Sequence, residues 1–251
     1  MRRRDLTIVP IREVPLIKQG DYLPSVLVSS LHRNNIIPEA GDIIVVTHAV
    51  VSISEGCLHE VSTIEPSNHA KLISEKTGRS PELVELALRE ATEVIHESPV
   101  LITRTKHGFI TDYSGIDISN APPGFLMTLP IDPDNSALRI HKHLSAHYGF
   151  PIPVIISDTQ GRPWRSGAVN LAIGLAGMSA FQSGKDEKDL YGRTLRSSLT
   201  CIADELASAA ELVMGQAGEG IPFVLISGVS PELGDSSARE ILRSTDDSLF
   251  G

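Results

Sequence analysis

The run Ile43–Val51, IIVVTHAVV, is the stretch that sets the fold, because it consists almost wholly of β-branched and apolar residues. The turn-like Ala40-Gly41-Asp42 leads into it. A continuous run of this kind predicts a strand buried on both faces, with His48 inside it. Three further runs have the same character and predict further buried strands: Val100–Thr105, Val154–Ser157 and Phe223–Ser227.

Four segments between these strands predict helices. Ser80-Pro81 supplies an N-cap and a first-turn proline, and apolar residues recur at helical spacing from Leu83 to Ile95, until Ser98-Pro99 ends the pattern. Apolar stripes predict further helices over Ala137–Tyr148 and Ile202–Met214. The Gly- and Ala-rich Gly167–Ala180 predicts a fourth helix, with a close backbone approach to a neighbour.

Strands and helices follow one another without a regular βαβ rhythm, which predicts an α+β (irregular α/β) fold with a mixed sheet and packed helices. No G-x-G-x-x-G follows a strand, and Gly184-Lys185 continues into Asp186, so no P-loop is present. A Rossmann fold is therefore disfavoured, and any nucleotide must be held in another way. No repeat or linker divides the chain, so residues 1–251 are expected to form a single unit.

Composition excludes several functional classes. The 251 residues carry 22 basic and 31 acidic side chains, a formal charge of -9, which disfavours nucleic acid and anionic membranes as partners. Arg2, Arg3 and Arg4 are the only basic run and are expected to be a solvated tail. No apolar run approaches the roughly 20 residues of a membrane span. Cys57 and Cys201 form no CxxC pair, so a cytoplasmic protein without disulfides is expected.

The strongest candidate for chemistry is the stretch Ile155–Arg165, where an apolar strand leads into Asp158, Thr159 and a turn with two arginines. A carboxylate and a hydroxyl are hard oxygen ligands suited to Mg²⁺ or Mn²⁺, and Arg162 or Arg165 could bind phosphate or carboxylate. The alternative, a capping turn with a structural Arg–carboxylate pair, explains the pattern equally well.

Three other polar segments are weaker candidates. Asp112, Asp117 and Asn120 crowd one glycine-containing stretch, which suits either a metal ligand or an ordinary loop. Asp134 or Asn135 is better explained as the N-cap of the following helix. Met214–Gly220 suits backbone contact with phosphate or plain helix termination.

The histidines form no zinc pattern. His48, within the first strand, and His107, before Gly108, are the only two with a candidate catalytic context, and a structural role is favoured for both.

Taken in order, the motifs resemble those of the coenzyme F420-0:γ-glutamyl ligase family, from about Val9 to about Val229. They include Val14-Pro15-Leu16-Ile17, Gly41-Asp42, Glu55-Gly56, Gly115-Ile116-Asp117 with Ser119-Asn120, Asp132-Pro133-Asp134, Asp158-Thr159 with Gly161-Arg162, Asp189-Leu190-Tyr191-Gly192-Arg193, Met214-Gly215 and Gly220-Ile221-Pro222. The ordered series is far more specific than any single motif.

The resemblance implies a family fold of two intertwined lobes and a homodimer. It also implies a GTP-dependent ligase that joins L-glutamate to the acid F420-0 through an acyl phosphate, then extends it through γ-linkages, with two Mg²⁺ or Mn²⁺ ions and K⁺. Carried over by motif, Asp117, Asp158 and Arg162 would be catalytic. Asp117 and Asp158 would hold one metal, and Thr159 with Gln216 a second. The nucleotide site would comprise Val14, Pro15, Leu16, Ile17, His48, Ala49, Asn120, Leu212, Val213, Met214, Gly215, Gln216, Ala217, Gly218 and Glu219.

Two stretches depart from the family pattern. Ile53 stands where the family usually has a lysine near the nucleotide phosphates, and Thr111-Asp112-Tyr113-Ser114 replaces a segment resembling Cys-Ala-Asn-Ala. We therefore expect metal binding to be retained, with nucleotide choice, rate or acceptor open to change. The alternatives are an amide ligase for another acid, such as a folate-like acceptor, and a non-catalytic nucleotide-binding paralogue.

Overall fold

A computed structural model of the chain describes residues 5–244, so Arg2, Arg3 and Arg4 lie outside the described residues. The helices are α1 (Leu23–Arg33), α2 (His48–Glu55), α3 (Asn68–Thr77), α4 (Pro81–Glu90), α5 (Pro133–Tyr148) and α6 (Ile202–Met214). The strands are β1 (Thr7–Ile11), β2 (Ile43–Thr47), β3 (Leu58–Glu60), β4 (Ala91–His96), β5 (Ile102–Thr105), β6 (Ile110–Asp112), β7 (Phe125–Met127), β8 (Val154–Arg162), β9 (Arg165–Ala176), β10 (Gln182–Ser183), β11 (Leu199–Thr200) and β12 (Phe223–Ser227).

The main sheet has five strands in the order β1-β12-β2-β8-β9. Strands β2 and β8 are parallel, and the other neighbouring pairs are antiparallel. The predicted α+β fold with a mixed sheet and packed helices is thereby confirmed.

Helices cover both faces of this sheet, which explains the continuous apolar runs of its central strands. Ile44 and Val46 of β2 point into a core shared with residues of α1 and α5, whereas Ile43 and Val45 point into a core shared with α6. Successive side chains of a strand face opposite ways, so a strand with helices on both sides needs apolar residues at every position.

A second, smaller cluster lies between α2 and α5 in the sequence. The sheet β4-β5-β6 packs with α3 and α4 around a core of its own, which includes Ile73, Val84 and Leu101. Strand β3 pairs with β7 beside it. The expectation of one functional unit over the whole chain stays a prediction.

The predicted helix from Ser80 onward is correct in its start and wrong in its end. Ser80 is the N-cap, its hydroxyl accepting from the Leu83 amide at 3.3 Å, but the helix ends at Glu90 and the chain continues as β4. Thr92, Val94 and Ile95 are β-branched, and pairing with β5 overrides the apolar spacing that suggested a helix.

The predicted helix Gly167–Ala180 is wrong, since Arg165–Ala176 is a strand that forms a long hairpin with β8. The expected close backbone approach is nevertheless present. A Cβ on Gly174 would lie 2.4 Å from the carbonyl oxygen of Pro133, at the start of α5. Small residues in this segment therefore reflect strand-to-helix packing and not a helix interface.

Two further details differ from expectation. Strand β2 ends at Thr47, so His48 is the first residue of α2 and does not lie within the strand. The N-cap of α5 is Asp132, which accepts from the Asn135 amide at 3.1 Å. Asp134 instead accepts from the Leu175 amide at 2.8 Å and so ties α5 to β9. Within residues 5–244, no helix has both the length and the apolarity needed to cross a bilayer.

Candidate functional site

A cavity of about 570 Å³ opens at the carboxyl end of β2, where its parallel pairing with β8 stops at Thr47 and Ser157. Its lining comes from residues within Val14–Ile17, Thr47–Ile53, Thr111–Asn120 and Glu211–Pro222, together with Asp158, Thr159 and Asn170 of the β8–β9 hairpin. The carboxyl ends of adjacent parallel strands are where α/β sheets commonly place binding groups. The main sheet therefore supplies part of the lining, and β6 of the smaller cluster with the turn that follows it supplies another part.

Asp158 and His48 form a buried pair at the base of the cavity. His48 Nε2 lies 3.2 Å from Asp158 Oδ1, and both side chains are almost fully buried. Burial raises the pKa of Asp158, an effect that His48 and the Gln160 amide, 3.2 Å away, oppose. The buried His48 Nδ1 has no hydrogen-bond partner among the described residues. Each carboxylate oxygen of Asp158 therefore has a partner that orients it, and the residue lines the cavity.

Asp117 reaches the cavity from a strained turn that follows β6. Tyr113, Ser114 and Gly115 all have positive φ angles, of 46°, 56° and 69°. The buried Ser114 hydroxyl donates to the Ala87 carbonyl at 2.7 Å and lies 2.8 Å from Thr103 Oγ1. These bonds stabilise a backbone that non-glycine residues rarely adopt.

The Asp117 carboxylate itself accepts from Ser119. Asp117 Oδ1 lies 2.7 Å from the Ser119 amide nitrogen and 2.5 Å from the Ser119 hydroxyl. Electrostatic repulsion from Asp117 adds to the effect of burial in raising the pKa of Asp158, and both carboxylates line the same cavity.

A chain of polar contacts crosses the cavity beside this pair. The Thr159 hydroxyl donates to Asn170 Oδ1 at 2.6 Å, and Gln216 Nε2 donates to Thr159 Oγ1 at 2.8 Å. Gln216 Nε2 also donates to Glu211 Oε1. Thr159, Gln216 and Glu211 therefore meet at one place, although they come from β8, the loop after α6 and the last turn of α6.

Many of the residues predicted for the site line this one cavity. They are Val14, Pro15, Leu16, Ile17, His48, Ala49, Asp117, Asn120, Asp158, Thr159, Met214, Gly215, Gln216 and Ala217.

Five predicted residues are not part of the lining. Leu212 is exposed and Val213 packs against the core beneath α6. Gly218 and Glu219 lie further along the loop, where Glu219 accepts from the Ala217 amide at 2.8 Å. Arg162 lies at the far end of β8, with Nη2 3.5 Å from the Gly167 carbonyl oxygen.

His107, the other histidine with a candidate context, also lies outside the lining. Its Nε2 is 2.9 Å from the Pro130 carbonyl oxygen. This contact supports the structural role favoured from the sequence.

Sequence reasoning missed Glu211 and Asn170 as lining residues. Asn170 is a buried polar residue in β9, and Glu211 lies at the half-buried end of the otherwise apolar stripe of α6. An acidic residue next to the buried Ala210 is the only sequence signal for Glu211, and it does not distinguish a site from a helix surface.

The lining carries four carboxylates, of Asp112, Asp117, Asp158 and Glu211, and neither lysine nor arginine in the described part of the chain. No group of three or more His, Cys, Asp or Glu side chains there has the arrangement of a complete metal site. Mg²⁺ commonly binds one or two carboxylates and takes its other ligands from water and substrate phosphates. Two carboxylates among neutral oxygen donors fit that pattern.

Comparison with known proteins identifies the family. The family described as F420-0:Gamma-glutamyl ligase matches residues 12–228. A relative from Methanopyrus kandleri, named coenzyme F420:L-glutamate ligase, is 42% identical over 98% of this chain and 98% of its own. Proteins of the same name from Methanothermobacter thermautotrophicus and Methanocaldococcus jannaschii are 43% and 41% identical, over 89% and 95% of this chain and 89% and 94% of their own. The chain therefore belongs to the F420-0:gamma-glutamyl ligase family.

Proposed function

We propose that this protein is a GTP-dependent ligase that joins L-glutamate to coenzyme F420-0 by an amide bond and then extends the product through γ-linkages. The observation that carries the proposal is the cavity itself. The cavity gathers two carboxylates, a hydroxyl and an amide from distant segments of the chain. The chain is similar over nearly its full length to proteins named coenzyme F420:L-glutamate ligase.

The donor set fits a divalent cation. Asp117 and Asp158 would hold one Mg²⁺ or Mn²⁺ and Thr159 with Gln216 a second, since all offer hard oxygen atoms. When bound, such ions neutralise phosphate charge and orient the oxygens that react. K⁺ is expected as a further cation.

The reaction we propose has two steps. A carboxylate oxygen of F420-0 attacks the γ-phosphorus of GTP, so that an O–P bond forms, the bond to the β-phosphate breaks and GDP leaves. The glutamate ammonium group loses one proton to water, the resulting amine attacks the carbonyl carbon, and its nitrogen loses a second proton to water as the amide forms. A C–N bond then forms, the C–O bond to phosphate breaks and inorganic phosphate leaves.

The chain's own residues mainly position the reactants. His48 holds Asp158 in place at 3.2 Å, and the strained turn at Tyr113–Gly115 fixes Asp117. The wall proposed for the nucleotide consists of backbone and mostly apolar side chains, from Val14–Ile17, His48, Ala49 and Asn120. The loop after α6 completes this wall. Rigid placement of charge is the main protein contribution to phosphoryl transfer.

An amide ligase for a different acid is the second candidate. Thr111 and Asp112, from the segment that departs from the family pattern, both line the cavity, so this segment can contact an acceptor. Relative kcat/KM values for F420-0 and a folate-like acid would decide between them.

A non-catalytic nucleotide-binding protein is the third candidate. It is favoured by Ile53, which gives the cavity wall an apolar residue where a cation would assist the phosphates. Repeated turnover of any glutamate ligation would exclude it.

We also propose that the protein works as a homodimer. The exposed large apolar side chains include those of Trp164, Leu190 and Tyr191. Trp164 lies at the turn of the β8–β9 hairpin, and Leu190 and Tyr191 lie between β10 and β11. Light scattering of the wild type and of a Leu190→Ser, Tyr191→Ser double variant tests this. A dimer that the substitutions dissociate is expected, and a wild-type monomer would contradict it.

The test of activity is a ligation assay with F420-0, L-glutamate, GTP, Mn²⁺ and K⁺, followed by mass spectrometry. We expect mass increases of one or more glutamyl units that EDTA abolishes. Asp158→Asn should lose the activity, whereas the matched variant Asp235→Asn, at an exposed position outside the cavity, should retain it. A fully active Asp158→Asn enzyme would refute the metal assignment.

A further inference from the structure

The place where Glu211, Gln216 and Thr159 meet has the chemistry of a cation site that is closed by an amide. Gln216 Nε2 bonds both Glu211 Oε1 and Thr159 Oγ1, so one nitrogen sits between two oxygen atoms. A half-turn of the amide about its Cγ–Cδ bond exchanges Nε2 and Oε1. Three oxygen atoms would then face the point that the amide hydrogens occupy now.

Thr159 is already oriented for this arrangement. Its hydroxyl hydrogen is committed to Asn170 Oδ1 at 2.6 Å, which leaves its lone pairs toward Gln216. The Asn170 amide is in turn 3.5 Å from the Ser157 hydroxyl, and Asn170 is buried, so its own orientation is fixed by the sheet. Second-layer contacts of this kind orient the ligands of metal sites.

We propose that Glu211 is a cation ligand of the cavity and supplies the negative charge of the second cation site. Thr159 and Gln216 offer only neutral oxygens, whereas a divalent ion is commonly held by at least one carboxylate. Glu211 is the one acidic side chain hydrogen-bonded to Gln216 in the described part of the chain. This inference rests on the proposed function, because that function brings nucleotide and metal to the cavity.

The rival explanation is that Glu211 only anchors the loop after α6 by accepting from Gln216. The two roles predict different outcomes when the carboxylate becomes an amide. A ligand role predicts weaker Mn²⁺ binding and no loss of metal-free nucleotide affinity, since removing a negative charge does not repel phosphate. A loop-anchoring role predicts that nucleotide affinity falls in EDTA as well.

The experiment measures Mn²⁺ binding in the presence of GDP, with free Mn²⁺ followed by its electron paramagnetic resonance signal. Separate titrations measure the affinity for GDP in EDTA. We expect two Mn²⁺ per wild-type chain, and at least about tenfold weaker binding of one of them in Glu211→Gln. Asp158→Asn should instead weaken the other ion. Glu205→Gln is the matched control, because Glu205 lies on α6 but is exposed and outside the cavity lining.

Three results would each overturn the proposal. They are unchanged binding of both ions in Glu211→Gln, binding of a single ion by the wild type, and a GDP affinity in EDTA that falls in Glu211→Gln together with the Mn²⁺ affinity. Thr159→Val gives a second variant should Glu211→Gln fail to fold, and it should weaken the same ion. F420-0 and glutamate are absent from these titrations. A failed ligation assay with an intact Mn²⁺ pattern would therefore refute the proposed function and leave the role of Glu211 standing.

Discussion

Replacing Gly174 by alanine should destabilise the protein more than the loss of one glycine ordinarily does. The added Cβ would lie 2.4 Å from the Pro133 carbonyl oxygen and 2.6 Å from its carbonyl carbon. Both are backbone atoms at the start of α5, so neither can move as a side chain would. To restore ordinary contact of about 3.5 Å, α5 and β9 must separate by roughly 1 Å.

The structure indicates a cost near the upper end of the usual range. Overpacking a core costs about 1–3 kcal/mol. The separation would also lengthen the bond from the Leu175 amide to Asp134, now 2.8 Å, which joins the same two elements. We therefore expect a loss of about 3 kcal/mol. For a chain of this size that is a fall in Tm of roughly 6–12 °C.

Thermal unfolding followed by circular dichroism measures this fall, and Gly161→Ala provides the matched control. Gly161 lies on the same hairpin and has an ordinary φ angle, and a Cβ added there would have no described atom within 4 Å. Its substitution should change Tm by no more than a few degrees. Equal effects of the two substitutions would refute the packing argument.

Three further predictions concern charge. Burial raises the pKa of Cys201 to about 12. At pH 8, iodoacetamide should therefore alkylate this thiol at least about a hundredfold more slowly in the folded protein than in urea. Equal rates would contradict the burial. Hydrogen bonds from Lys76 and then His69 lower the pKa of Glu97 from 4.5 to about 2, so carboxylate NMR titration of Lys76→Met should show a clear rise, and an unchanged value would refute the pairing. Because the pKa of Glu97 is lowered in the folded state, its carboxylate stabilises the fold above pH 4.5 and loses that effect as the pH falls toward 2. Acid unfolding of the wild type and of Lys76→Met measures this loss, which should be smaller in the variant.

The sequence predicted those elements whose own residues determine them. Strand β12 and helix α6 have the predicted bounds. A short apolar run is compatible with a buried strand, and an apolar stripe at helical spacing ended by Gly215 is compatible with a helix. Residues Ala91–His96 and Arg165–Ala176 could not be predicted in this way. Their spacing is compatible with a helix, and only pairing with distant strands makes them strands.

The same distinction applies to the cavity. Asp117 and Asp158 could be suspected from the sequence, because each follows strand-like residues in a polar turn. Glu211 could not, because its significance depends on Thr159 and Gln216, and only the packing of α6 against the sheet brings the three together. The described lining residues include neither lysine nor arginine, so the charge that would neutralise the phosphates of the proposed nucleotide is expected to come mainly from bound cations. Divalent ions should therefore control nucleotide affinity in this protein more strongly than in a relative whose cavity contains a lysine.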